Sequence, residues 1–358
     1  MPSLKEIKGR INSISSTLAI TSAMKMVAAA KLQKAQMAIQ NMLPYERRLY
    51  SMLVDLMGAM NISAAASEYG SVRGSGSAER GFDQSGDRLS LSNRHDLAGM
   101  DGAYSLMAQR EVRKVAIVAF ASNSSLCGAF NSNVIREATA VINEYRASGL
   151  RDSDIVVYSV GRKMAEAMRK LGFPSPADFT KMSDSPSYEA ASALAQELLD
   201  GFVSGRFDKV ELVYNHYKST SSQPTIRQTY LPLSLADATA DIQVGKITDS
   251  ASESDTNRGA EPVGAPVVRQ GSPTTEDLIV EPSKEALIAT LLPKVIRLRI
   301  FTTLLDSAAA EHAARTVAMQ LATDNGNDLL QELTLEYNKG RQQKITSEIL
   351  DLVGGSMQ

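Results

Sequence analysis

The sequence predicts an α plus α/β protein: a long antiparallel coiled coil formed by the two ends of the chain, with a central α/β domain between them. Three observations predict it. Apolar residues recur at alternating three- and four-residue steps near both ends of the chain, as they do along a coiled-coil seam. Short apolar runs alternate with helical patterns across 112–233, as in βαβ units. Two stretches rich in Ser, Gly and Asp separate these regions. The expected organisation is an N-terminal helix at 1–60, a flexible insert at 61–111, the α/β domain at 112–244, a second flexible insert at 245–277 and a C-terminal helix at 278–358.

The first helix starts at Ser3, placed as an N-cap with Glu6 three residues on, the spacing of a capping box. From there the positions 7, 11, 14, 18, 21, 25, 28, 32, 35, 39 and 42 carry Ile, Ile, Ile, Leu, Thr, Lys, Ala, Leu, Ala, Ile and Met. Thr21 and Lys25 interrupt an otherwise apolar line, beside Met24 and Met26. Pro44 is placed to kink the helix, while Leu49, Leu53 and Leu56 keep its phase. Counted to Ala59, the helix is roughly 80 Å long at ~1.5 Å per residue.

The Ser/Gly-rich tract 67–102 cannot bury enough apolar surface to order itself. Its glycines do not make a phosphate loop: no strand precedes them and no Gly-Lys-Ser or Gly-Lys-Thr follows. Strands are then expected at Val112–Ala121, Asp154–Val160, Lys209–His216 and Ile226–Leu233, with helices at Ala129–Arg146, Arg162–Leu171 and Ser187–Ser204. The alternation implies a Rossmann-like domain built of parallel units.

The last segment begins at Ser283, placed as an N-cap after Pro282. Leu287, Leu291, Val295, Leu298 and Leu305 open its seam; Ala308–Ala310, Ala313 and Ala314 follow. Leu329, Leu333, Tyr337, Ile345, Ile349 and Leu352 continue it. Unbroken, this helix spans about 105 Å. Pro293, Gly326 and Gly340 are weak points expected to bend rather than break it. Neither end helix is stable through propensity alone, so each must bury its stripe. The economical solution is that they pack on one another, with the alanines allowing close approach.

Composition narrows the function. A net charge of -2 over 358 residues makes no general case for nucleic acid. Charge is uneven: residues 1–34 carry Lys5, Lys8, Arg10, Lys25, Lys31 and Lys34 against Glu6 alone, which fits an acidic partner or a solvent-filled sleeve. The single cysteine, Cys127, permits no intrachain disulfide and fits a reducing compartment. No run of apolar residues is long enough for a membrane span, and the start lacks the apolar core of a signal peptide.

At this point the residues carry a family resemblance. The segment LKEIKGRINSISSTLAITSAMKMVAAAKLQKAQ (4–36) resembles the first helix of the gamma subunit of F-type ATP synthases. SAAAEHAARTVAMQLATDNGNDLLQELTLEYNKGRQQKITSEILDLVGG (307–355) resembles that family's last helix. SLCGAFNSNV (125–134) resembles the turn after its first strand, and VELVYNHYKSTSSQP (210–224) its strand and loop. The two inserts are longer than the minimal family pattern, and Gly340 stands where the family usually has Ala. The inserts lack the cysteine pair that chloroplast members use for regulation, so thiol switching is not supported.

The resemblance implies a non-catalytic rotor, present as a single copy, that couples proton flow to ATP synthesis and needs no cofactor of its own. The implied partners are the alpha and beta subunits of the catalytic head, the epsilon subunit and the c-ring of the membrane sector. The implied place is peripheral, on the cytoplasmic face of a bacterial inner membrane. It also implies contact residues for the catalytic head: Met24 and Lys25 for acidic lever loops, and Arg341 with Gln342 for a catch loop. Arg315, Asn338 and Thr346 belong to the same implied polar cluster. Arg offers a planar donor fork suited to carboxylate, and Gln both donates and accepts. The ordinary alternative for each is a solvated helix face.

Other constellations are weak. Cys127 has no adjacent base to lower its pKa and reads as structural. His95, His216 and His312 are far apart and show no metal spacing. Asn61-Ile62-Ser63 and Asn123-Ser124-Ser125 fit the glycosylation pattern, but a chain without a secretory signal is not expected to meet that machinery. Two other readings stay open: a coiled-coil scaffold tethering an α/β module, and an enzyme using the strand ends of that module.

Overall fold

The computed structural model describes residues 3–59, 105–233, 281 and 283–356. The expectation of a flexible insert at 245–277, most of that at 61–111, and His95 and Asn61 therefore lie outside the described residues.

Among the described residues ten main elements follow one another: α1 (Leu4–Ala59), β1 (Val115–Phe120), α2 (Phe130–Ala147), β2 (Ile155–Val160), α3 (Arg162–Lys170), α4 (Thr180–Asp184), α5 (Tyr188–Val203), β3 (Lys209–Asn215), β4 (Thr225–Leu231) and α6 (Lys284–Ser356). The sheet order is β2-β1-β3-β4. β1 pairs in parallel with both β2 and β3, but β4 runs antiparallel to β3. The parallel units expected from the strand–helix alternation cover β1 to β3 and do not extend to β4. The link 216–224 contains no helix to carry the chain back across the sheet, and a parallel return needs a crossover of a dozen or more residues.

Every residue of β1 is buried, as a central strand requires. Its alternate side chains serve two cores. Val115, Ile117 and Ala119 face Val134, Ala138, Val141 and Ile142 of α2 and Met164 and Met168 of α3. Ala116, Val118 and Phe120 face α5 and the helical pair, through Leu194, Leu198, Leu53, Leu56, Leu292 and Ile296. Leu106 and Met107, within the expected insert 61–111, are buried in this second core. Ser105 and Ala108 beside them are also buried.

α1 and α6 lie side by side and antiparallel. Tyr50 meets Arg299, Glu46 meets Thr302, Thr21 meets Thr323, Leu18 lies on Gly326 and Leu4 on Gly340. All eleven seam positions from 7 to 42 are buried or half-buried. Both helices continue through their prolines, Pro44 and Pro293. A helix-interior proline costs about 3 kcal/mol, and burial of the flanking stripes, Leu49, Leu53, Leu292 and Val295 among them, offsets it.

The helix starts are capped as their sequences suggest, with one difference. Ser3 Oγ accepts from the Glu6 N–H at 3.2 Å and Ser283 Oγ from the Ala286 N–H at 3.2 Å. The Glu6 carboxylate instead accepts from the Arg10 guanidinium at 2.8 Å, so one half of the capping box is exchanged for an ion pair one turn along.

Candidate functional site

The candidate site is the exposed surface of the helical pair, away from the sheet. Its first part is the interruption in the α1 seam. Thr21 does not leave the seam there. Its hydroxyl receives a hydrogen bond from Thr323 Oγ1 of α6 at 3.0 Å, so a polar cross-helix pair fills the place of an apolar one. Met24 and Lys25 are half-buried beside it. The residues that point outward are others: Ile20 is 61% exposed, Met26 66% and Val27 58%. Ala23 and Ala30 share that surface. Position counting followed the seam and missed this outer stripe. Its signal was present in AITSAMKMVAAA, which has more apolar residues than one seam can take.

The second part is the free end of α6. α1 begins at Leu4, level with Gly340. Residues 341–356 continue past it for about 24 Å. Asn338, Arg341, Gln342 and Thr346 are all exposed there. Asn338, Gln342 and Thr346 fall in one row at four-residue steps. The Thr346 hydroxyl donates to the Gln342 carbonyl at 2.9 Å. Gln342 and Thr346 border an open groove with Lys339, Gln343, Ser347 and Leu350. Ile345, Ile349, Leu352 and Val353 are about half-exposed or more beside this polar row. Upstream, Leu330 rather than Leu329 is the seam residue, Leu329 being half-exposed.

Gly326 and Gly340 gain a reason that the sequence did not show. A Cβ on Gly326 would stand 2.7 Å from Leu18 Cδ2, and one on Gly340 3.1 Å from Leu4 Cδ2. Each glycine is the seat for a leucine of α1.

Arg315 is a correction. It lies 26 positions before Arg341 on the same helix, which is about 39 Å along the axis, so the two cannot share a cluster within this chain. Arg315 is buried. Its Nη1 donates to Glu311 Oε1 at 2.7 Å and its Nη2 to Ser124 Oγ at 2.8 Å. Burial pushes the Glu311 carboxyl up, partly offset by Arg315. Burial, then Arg315 and Lys31, bring His312 down to about 4. The family resemblance alone implies Arg315 as a contact for the catalytic head, and nothing in the linear pattern shows the β1 loop arriving beside it.

That loop closes the remaining site that the sequence left open, the strand ends of the sheet. Open α/β sheets bind ligands at the carboxyl ends of their strands. Here α6 occupies that edge. Ala310 packs on Cys127 and Phe130 from the β1 side, and Ala309 and Ala313 pack with Leu32 of α1, beside Tyr217 from the β3 side. Asp306 Oδ2 lies 2.6 Å from His216 Nδ1, and Asp306 Oδ1 accepts from the Tyr217 N–H at 2.9 Å. The enzyme reading loses its crevice to the chain's own helix.

Within the loop, Asn131 Nδ2 donates to Ser122 Oγ at 2.8 Å and to Cys127 Sγ at 3.2 Å. Leu126 (φ 67°) and Gly128 (φ 58°) turn the backbone through left-handed conformations. Cys127 is buried, which pushes its thiol up and away from reactivity. Asn123 is committed too: its Nδ2 donates to Thr180 O and its Oδ1 accepts from the Arg162 N–H, both at 2.8 Å, so it is no glycan acceptor in the folded chain.

Comparison with known proteins decides the family. A sequence profile described as ATP synthase matches residues 3–357. A protein of Phocaeicola vulgatus called ATP synthase gamma chain is 47% identical over the full length of both chains. The chain belongs to the ATP synthase gamma chain family. The gamma chain of Bacteroides thetaiotaomicron is 45% identical, again over the whole of both. That of Flavobacterium johnsoniae is 35% identical over 99% of this chain and 98% of the other. The stretches 61–111 and 245–277 thus fall inside the matched length. A chain of the Euglena gracilis mitochondrial ATP synthase shares the fold, with a TM-score of 0.52 at 18% identity over 99% of this chain and 93% of that one. A gamma chain is a central-stalk subunit of ATP synthase, structural rather than catalytic on its own. Among the described residues no helix is long and apolar enough to cross a membrane.

Proposed function

We propose that this gamma chain is the rotor of a bacterial F-type ATP synthase, turned by the proton-driven c-ring and turning within the alpha and beta subunits of the catalytic head. The observation that carries it is the division of the helical pair. Its lower half is sealed against the sheet, and its upper half keeps an open surface with a single-helix tip. A static tether needs no such unpaired tip. An asymmetric axle uses it, because its off-axis surface presents a different face to each catalytic subunit. A contact shifts a conformational equilibrium only by its differential energy with the states.

On this reading Met24 and Lys25, with Ile20, Met26 and Val27, meet the catalytic subunits at the level of the α1 interruption. Asn338, Arg341, Gln342 and Thr346 meet them nearer the tip. The α/β domain rests toward the c-ring and the epsilon subunit, on the cytoplasmic face of the inner membrane, and the complex holds one copy of the chain. Purifying the chain from its cells with native partners tests this. Co-isolation as a single copy with a hexameric ATPase supports it. A stable homodimer without ATPase activity overturns it and favours the scaffold.

A further inference from the structure

The ties between the α/β domain and α6 do more than fill a crevice. We propose that the loops after β1 and β3 form a two-point clamp on α6, Ser124 with Arg315 and His216 with Asp306, through which torque passes between the domain and the shaft. This rests on the rotor reading above. The argument is geometric. Between the two ties α6 presents Ala309, Ala310, Ala313 and Ala314, a smooth surface with little leverage against twist. Asp306 and Arg315 are nine residues apart, about 13 Å along the axis and, at about 100° per residue, on opposite sides of the helix. One jaw is the β3 loop, holding Asp306 by both oxygens. The other is the β1 loop, holding Arg315, whose guanidinium Glu311 fixes from the preceding turn. α1 braces the first jaw, since Gln36 Nε2 donates to Tyr217 Oη at 2.6 Å.

The first jaw titrates. The charged groups acting on the His216 ring are Asp306 from α6 and Lys218 from its own loop; α1 brings the neutral Gln36 and Leu32 to Tyr217. The Asp306 carboxylate holds the imidazole above its ordinary value. The charged pair is therefore fully present below about 6.5 and is lost as pH rises through the raised folded value. Neutral His216 keeps a hydrogen bond to the Asp306 carboxylate but loses the attraction between opposite charges.

The test uses the whole complex reconstituted in vesicles, reading proton uptake per ATP hydrolysed at pH 6.5 and pH 8.5. His216→Lys supplies a fixed cation, and its ratio is expected to stay level, while the wild-type ratio falls at the higher pH. Asp306→Asn is expected to lower the ratio at both values, with ATP hydrolysis retained. A His216→Lys complex that tracks the wild-type profile overturns the clamp, as does an Asp306→Asn complex with the full ratio. Should Asp306→Asn fail to assemble, the comparison of wild type with His216→Lys decides alone. Wild-type pumping that persists when this chain is omitted would instead overturn the rotor reading.

Discussion

The lower and upper halves of the helical pair are made from the same two helices, yet they are built differently. In the lower half, Leu49, Leu53, Leu56, Ile288, Leu292, Val295 and Ile296 are buried in the larger core with the sheet. Polar groups there are matched across the pair: Arg299 Nη1 donates to Tyr50 Oη at 2.7 Å, and Thr302 Oγ1 to Glu46 Oε1 at 3.0 Å. In the upper half only one line of residues on each helix is covered, and Leu321, Leu335 and Leu350 stand in the open. Among the described residues the lower half has a third layer to pack on and the upper half has none. The same helical sequence pattern thus supports an anchored base and a surface left for other molecules.

Substitution of apolar residues should break this comparison most sharply. Leu292→Ala, at a fully buried site, should cost about 2–5 kcal/mol, while Leu335→Ala, at 66% exposure, should stay within about 0.5 kcal/mol. Urea midpoints of the purified subunit measure both. Equal losses would mean that the upper surface is covered by the chain itself.

A smaller effect separates the two glycine seats. Gly326→Ala gains about 1 kcal/mol of helix propensity but drives a methyl into Leu18, an overpacking of about 1–3 kcal/mol. The net change should be a loss of about 1 kcal/mol, and adding Leu18→Ala should relieve the clash. Gly340→Ala faces Leu4 in the first turn of α1, where the chain can give way. It should be neutral or stabilising by up to about 1 kcal/mol. Thermal unfolding checks the opposite signs.

Acid should act on the base before the tip. His312 is held near 4 by burial, Arg315 and Lys31. A histidine lowered in the fold contributes stability that is present above its unfolded value of about 6.5 and is lost as pH falls toward the folded one. His312→Gln should flatten the fall in stability between those values, as urea midpoints across pH would show. An unchanged slope would assign the acid sensitivity to other groups.

The smallest effects on stability should come from the proposed contacts. Met24→Lys, Arg341→Ala and Gln342→Ala should each leave folding and assembly within about 0.5 kcal/mol but lower coupled proton pumping. Normal pumping by all three would remove the contact surface from the mechanism.

Legibility in the sequence followed the physics of each feature. Local periodicity reports which residues must be hidden, so the α1 seam, the buried β1 run and the Ser283 cap were readable from spacing alone. Direction and company were not. Nothing within 225–231 itself says that β4 turns back on β3, because strand propensity carries no sense of direction; only the short link 216–224 carries that signal. Leu329 and Leu330 are one step apart in phase, and only the register against α1 chose between them. Gly326 and Gly340 read as flaws until Leu18 and Leu4 were seen on them.

The candidate surface divides the same way. The exposed row at Asn338, Gln342 and Thr346 follows from helical spacing. The outward turn of Ile20, Met26 and Val27, and the inward capture of Arg315 by Ser124, required both helices and the β1 loop in place. By itself the sequence determined two long helices that had to bury a stripe, and an α/β module between them, because hydrophobic spacing is a local property. The tertiary structure decided which faces remained open and which charges were enclosed, because those depend on what arrives from distant parts of the chain.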